Sequence, residues 1–128
     1  MSSISSSGVR KNLGLVLCAL LLAQYAGAAT ITVGASKGWN LGVDYRTWAS
    51  RIRLRAGDSL YFKYNNRLHD VLIVSKADFM ACNNKKPLAR FNTGKDTIKF
   101  AKPGTFYVIC GFPRHCTGGM KLAVTVRG

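Results

Sequence analysis

Cys110, His115 and Met120 stand at an even spacing, Cys-x4-His-x4-Met, inside the stretch YVICGFPRHCTGGMKLAVTV near the C-terminus. A thiol, an imidazole and a thioether are soft or borderline donors. Set this close together, they are either metal ligands or core residues beside a surface histidine. The chain has one further imidazole, His69, in NNRLHDVLIV at the head of an apolar run that reads as a buried strand. Two imidazoles, a thiolate and a thioether make the His2Cys set with a weak axial Met that suits copper in electron transfer. The sulfur donors favour Cu(I) and the imidazoles serve Cu(II) as well, so the compromise geometry limits rearrangement when the charge changes. Zinc more often takes a fourth Cys, His or carboxylate than a Met. Taken singly, each residue has a duller role, but the dull reading then needs three coincidences. Two histidines are too few for a trinuclear oxygen-reducing cluster, which argues against a multicopper oxidase and against an enzyme.

These residues need a framework, and the chain limits what it can be. Of the 128 residues, the first stretch has the layout of an export signal: Arg10 and Lys11, the apolar run Leu13 to Ala23, then small residues at Ala26 to Ala28. The run is short of the ~20 residues needed to span a bilayer, so no membrane span is expected. Residues 1–28 are therefore expected to be a secretory signal peptide cleaved after Ala28, leaving 29–128 as one domain with one modest core. The mature product reads as secreted, soluble, monomeric and unglycosylated at Asn.

Export changes the meaning of the cysteines. Cys18 leaves with the leader, while Cys82, Cys110 and Cys116 remain, an odd count that implies one disulfide and one thiol with another purpose. Three pairings are open. Cys82 with Cys116 is preferred because it frees Cys110 for a site with His115 and Met120; a free reactive thiol or an intermolecular bridge is the alternative.

Strand signals dominate the rest. Apolar and aromatic residues alternate in TITV, RIRLR, SLYFKY, DTIKF, TFYVIC and MKLAVTV, with turn signals AGD, NTGKD and KPG between several of them. This predicts an all-β antiparallel sandwich or barrel. A short helical turn is expected in SKADFMACNN, where Ser75 and Asp78 make a capping pair. Parity puts Phe106, Val108 and Cys110 on one face of their strand, and Met120, Leu122, Val124 and Val126 on one face of the last, opposite Lys121, Thr125 and Arg127. With the apolar sets inward, Cys110 and Met120 reach the core at adjoining strand ends, and the Gly- and Pro-containing loop GFPRHCTGG folds His115 back between them.

Taken together, VGASKGWNLGVDYRTWA, AGDSLYFKYNNRLHDVLIV, FMAC, NTGKDTIKF and GTFYVICGFPRHCTGGMKLAVTV resemble the phytocyanins, plant blue copper proteins, most closely the plantacyanin or basic blue subgroup. The resemblance covers the whole mature chain. It implies a Greek-key β-sandwich of the cupredoxin type with short helical turns, one type 1 copper ion held by His69, Cys110, His115 and Met120, and a Cys82–Cys116 disulfide. Met120 separates the chain from stellacyanin-like members with axial Gln, and the intact ligand set separates it from early nodulin-like members that have lost copper. Arg114 departs from the family pattern, which commonly has Gly before the histidine; it is not a donor.

Charge narrows the partners. Without Arg10 and Lys11, 17 basic residues face five acidic ones, Asp44, Asp58, Asp70, Asp78 and Asp96, for a net charge of +12. Nucleic acid is disfavoured as a partner by export and by the scatter of basic residues along strands. The charge suits an acidic redox protein, whose identity the sequence does not give, an anionic cell-wall polysaccharide or an anionic membrane surface. Two functions stay open: a one-electron carrier of the apoplast or cell wall, and an extracellular interaction or signalling protein in which copper is mainly structural.

Overall fold

The computed structural model of the protein describes residues 27–128; all but Gly27 and Ala28 of the expected leader lies outside the described residues. In chain order the elements are β1 (Thr30–Thr32), a 3-10 turn (Ala35–Lys37), α1 (Tyr45–Ser50), β2 (Leu54–Arg55), β3 (Ser59–Lys63), β4 (Val71–Val74), α2 (Lys76–Ala81), β5 (Ala89–Phe91), β6 (Lys95–Lys99), β7 (Gly104–Ile109) and β8 (Lys121–Arg127). They form two sheets, of order β1-β3-β6 and β2-β8-β7-β4-β5.

The expected sandwich is present, with one correction: it is not wholly antiparallel. β1 runs parallel to β3, and β2 runs parallel to β8, while the remaining pairs are antiparallel. A parallel neighbour cannot come from a hairpin, so local turn signals do not reveal it. In RIRLR, too, only Leu54–Arg55 is strand; Arg51 instead ends α1, a helix whose N-cap Asp44 accepts from the Thr47 N–H and Oγ1.

Alternation decides what each strand buries. Leu60 and Phe62 of β3 and Ile98 of β6 face Val71, Val108, Leu122, Val124 and Val126 across the sandwich, with Trp39 and Tyr45 filling one end. β4 and β7 are buried on both faces. Their outward residues Leu72, Val74 and Ile109 join Cys116 in a second cluster, against which Phe79 of α2, Cys82 and Tyr107 are packed. α2 starts as its sequence predicts, with Ser75 Oγ accepting from the Asp78 N–H at 3.1 Å. It ends at Cys82, whose left-handed φ of 51° turns the thiol back toward the sheet. There Cys82 is bonded to Cys116, which sets the disulfide as expected and leaves Cys110 as the free cysteine among the described residues.

Candidate metal centre

Three segments converge at one end of the sandwich. The first is the turn before β4, where the Asn65 carbonyl accepts from the N–H groups of Leu68 and His69, and Asn65 Oδ1 accepts from the Arg67 N–H. That turn delivers His69 into the core, 4% exposed. The second is the end of β7, which carries Cys110. The third is the loop back to β8. Within it the His115 N–H donates to Phe112, the Met120 N–H donates to the His115 carbonyl at 2.9 Å, and the Cys110 N–H donates to the Met120 carbonyl at 3.1 Å. Those two bonds hold Cys110, His115 and Met120 in one frame, with Cys110 and Met120 both buried in the main core.

The donor atoms meet. His69 Nδ1 and His115 Nδ1 are 3.1 Å apart, and Cys110 Sγ lies 3.9 Å from the first and 3.4 Å from the second. The point equidistant from all three lies about 2.0 Å from each, the usual distance of imidazole nitrogen and slightly less than that of thiolate sulfur from a transition-metal ion. His69 Nε2 faces Asn40 Oδ1 at 3.2 Å; an Nε2–H donating there leaves Nδ1 as a bare lone pair aimed at that point. Burial pushes the His69 imidazole below its ordinary pKa, with His115 adding to the effect, so at neutral pH that lone pair is free. Burial likewise pushes the Cys110 thiol up, so its thiolate requires a cation close by.

One residue beside the donors was not singled out in the sequence. Asp70, 2% exposed, accepts from the Gly111 N–H through Oδ1 at 2.6 Å and from the Arg90 guanidinium through Oδ2 at 3.1 Å. Since it follows His69 and reaches the residue after Cys110, its carboxylate clamps two ligand-bearing segments together. Trp39 Nε1–H donates to the Asp70 carbonyl, and Asn84 donates to the Gly111 carbonyl. Gly111 leaves room for this packing: a Cβ there would come within 2.6 Å of Leu72 Cδ1 and 3.1 Å of Asp70 Oδ1, so a larger residue would have to displace those side chains. The one available signal for Asp70 was an acid inside the apolar run HDVLIV.

The plastocyanin-like domain family matches residues 39–120, which contain all four candidate ligands. The chain belongs to that family, among the phytocyanins. This phytocyanin is 42% identical over 96 residues to the basic blue protein of Cucumis sativus, covering 75% of its own length and 97% of the relative. It is 43% identical over 117 residues to the blue copper protein of Pisum sativum, of which it spans 62%. The solved structure of cucumber basic protein, a blue copper protein, superposes with a TM-score of 0.70 at 40% identity, over 76% of this chain and 98% of that one. The cupredoxin fold is thus that of the family, and copper is the family's metal. His69, Cys110, His115 and Met120 form a group of the type 1 copper kind.

Proposed function

We propose that His69, Cys110, His115 and Met120 hold one copper ion and that the protein is a one-electron carrier, not an enzyme. The observation that carries this reading is the convergence of two Nδ1 atoms and one Sγ on a point about 2.0 Å from each, with buried Met120 tied through its backbone to Cys110 and His115. Copper bound there supplies a Cu(I)/Cu(II) couple. The chain's own residues do the rest: the Asp70 clamp and the two backbone bonds of the Cys110–Met120 loop keep the donors from moving between charge states. His115 is the one donor-bearing ring only partly covered, stacked 5.9 Å from Phe112, so its edge is the face through which an electron enters or leaves. Among the described residues His69, Cys110 and His115 are the one cluster of His, Cys, Asp or Glu able to hold a metal. Residues 1–28 act as an export leader in this reading and 29–128 work in the apoplast or cell wall. No helix among the described residues is long and apolar enough to cross a membrane. Visible absorption of the Cu(II)-loaded protein tests the proposal. The parent should show an intense thiolate-to-copper band, Cys110→Ala should lose it, and Met120→Gln should keep it with a lowered reduction potential, because a stronger axial donor favours Cu(II). An unchanged spectrum in Cys110→Ala would refute the ligand set.

A further inference from the structure

A second concavity lies on the flank of the larger sheet, where α1, the segment into β2 and the outer face of β8 meet. It measures about 470 Å³, within the size range of small-ligand sites. Four guanidinium-bearing residues line it, Arg46, Arg51, Arg53 and Arg127, together with the hydroxyls of Ser50 and Thr125. None of the four guanidinium groups is ion-paired with a carboxylate among the described residues, where the one ion pair is Arg90 with Asp70, although the charge of Arg46 is felt by Asp44. β8 leads away from the metal centre, and its groove-lining residues, Ala123 to Arg127, lie roughly 10 to 23 Å beyond Met120 at ~3.3 Å per residue. The groove is therefore separate from the electron-exchange face. Gathering four cations into one hollow costs repulsion that Asp44, close to Arg46, offsets only in part, and an anion in the hollow would relieve it.

We infer that this groove binds a linear acidic polysaccharide, a run of uronate sugars whose carboxylates pair with the arginine forks and whose ring hydroxyls meet Ser50 and Thr125. Guanidinium matches carboxylate in bidentate fashion, which a lysine surface does not. No aromatic side chain lines the groove, so it lacks the platform on which single-stranded nucleic acid stacks. Its concave shape suits a chain better than the flat face of an acidic protein. The choice of a wall polysaccharide rests on the export reading above, while the groove itself does not depend on the copper centre.

Titration of the copper-loaded protein with a short oligogalacturonate, followed by calorimetry at low salt, tests the inference. The double variant Arg51→Gln/Arg53→Gln should bind on the order of tenfold more weakly or worse, having lost two charge-assisted contacts. The charge-matched control Lys95→Gln/Lys99→Gln, on the exposed face of β6 in the other sheet, should stay within about twofold. Both variants should keep the copper absorption band, which reports an intact fold. Equal weakening in the two variants would reduce the effect to net charge and overturn the groove, as would no binding by the parent. A single-stranded oligonucleotide of equal charge that binds as tightly, and is weakened as much by the arginine changes, would overturn the uronate assignment. A parent that lacks the copper band but binds the sugar would sink the metal proposal and leave this one standing.

Discussion

Asp70 holds the segment after Cys110 through its bond to the Gly111 N–H and brings a buried charge next to His69. A carboxylate buried beside a copper ligand favours the more positive metal state, and Arg90, with its side chain 64% exposed, offsets this only in part. A unit charge roughly 10 Å from the metal, at an effective dielectric between ~20 and ~80, is worth about 0.4 to 1.7 kcal/mol. For a one-electron couple that is about 20 to 70 mV. Asp70→Asn keeps an acceptor for the Gly111 N–H and removes the charge, so the potential should rise within or below that range while the blue band stays. Asp70→Ala orphans the Gly111 N–H as well and should destabilise the fold by about 1 to 3 kcal/mol. Voltammetry and denaturant unfolding of the two variants separate charge from positioning: equal potentials in parent and Asp70→Asn would leave the residue a purely structural clamp.

Two ties hold the elements together, one beside the site and one at the start of β1. The disulfide joins the C-cap of α2 to the residue after His115, across a sequence separation of 34. Loop-closure entropy over that length corresponds to about 4 kcal/mol. Cys82→Ser/Cys116→Ser should lower unfolding free energy by about 2 to 4 kcal/mol and broaden the copper band as the His115 loop loosens, seen by urea titration and absorption. Asp58 is the other tie. It accepts from the Arg55 N–H at 2.8 Å and from the Ala29 N–H at 2.9 Å, and these bonds hold its carboxyl below the ordinary value. If cleavage follows Ala28, that second donor is the new α-amino group, and the bond becomes an ion pair. A carboxyl depressed in the fold stabilises above its unfolded pKa and loses that stabilisation as pH falls below about 4. An ammonium raised by its partner stabilises below its unfolded pKa and loses that as pH climbs past about 8. The chain starting at Ala29 should therefore show a stability plateau between those limits, and N-acetylation or Asp58→Asn should remove the alkaline fall. Matching alkaline profiles in the free and acetylated chains would show that no such pair forms. The contrast with what the sequence revealed is physical. Strong period-2 runs such as SLYFKY and TFYVIC, the Ser75 cap and the ligand spacing were legible because each is local. β5, the parallel pairings and the roles of Asn40 and Asp70 were not, because they rest on contacts between residues 16 to 72 positions apart, whereas α1 was missed although its Asp44 cap spans only three residues.

At the scale of the whole molecule the sequence carries 19 basic and five acidic residues, and among the described residues one ion pair uses any of that charge internally. The net charge is therefore strongly positive, and Arg114 adds a cation next to His115. Arg114 precedes His115, is exposed, and sits at φ 64°, the left-handed conformation that glycine adopts without steric cost. A cation at this position disfavours Cu(II) and attracts anionic redox reagents. Arg114→Gly should lower the potential by about 20 to 70 mV at a separation of roughly 10 Å, and relief of the backbone strain should offset the added chain entropy of glycine, leaving stability unchanged or up to about 1 kcal/mol higher. Arg114→Ala should lower the potential by the same amount without the relief, which isolates charge from conformation. In stopped-flow oxidation, both variants should slow with an anionic reagent more than with a cationic one, and added salt should draw variant and parent together as screening shortens the reach of the charge. Potentials and salt dependence identical to the parent's in both variants would mean that the Arg114 guanidinium points away from the copper face, and that its charge belongs to the solvated surface alone.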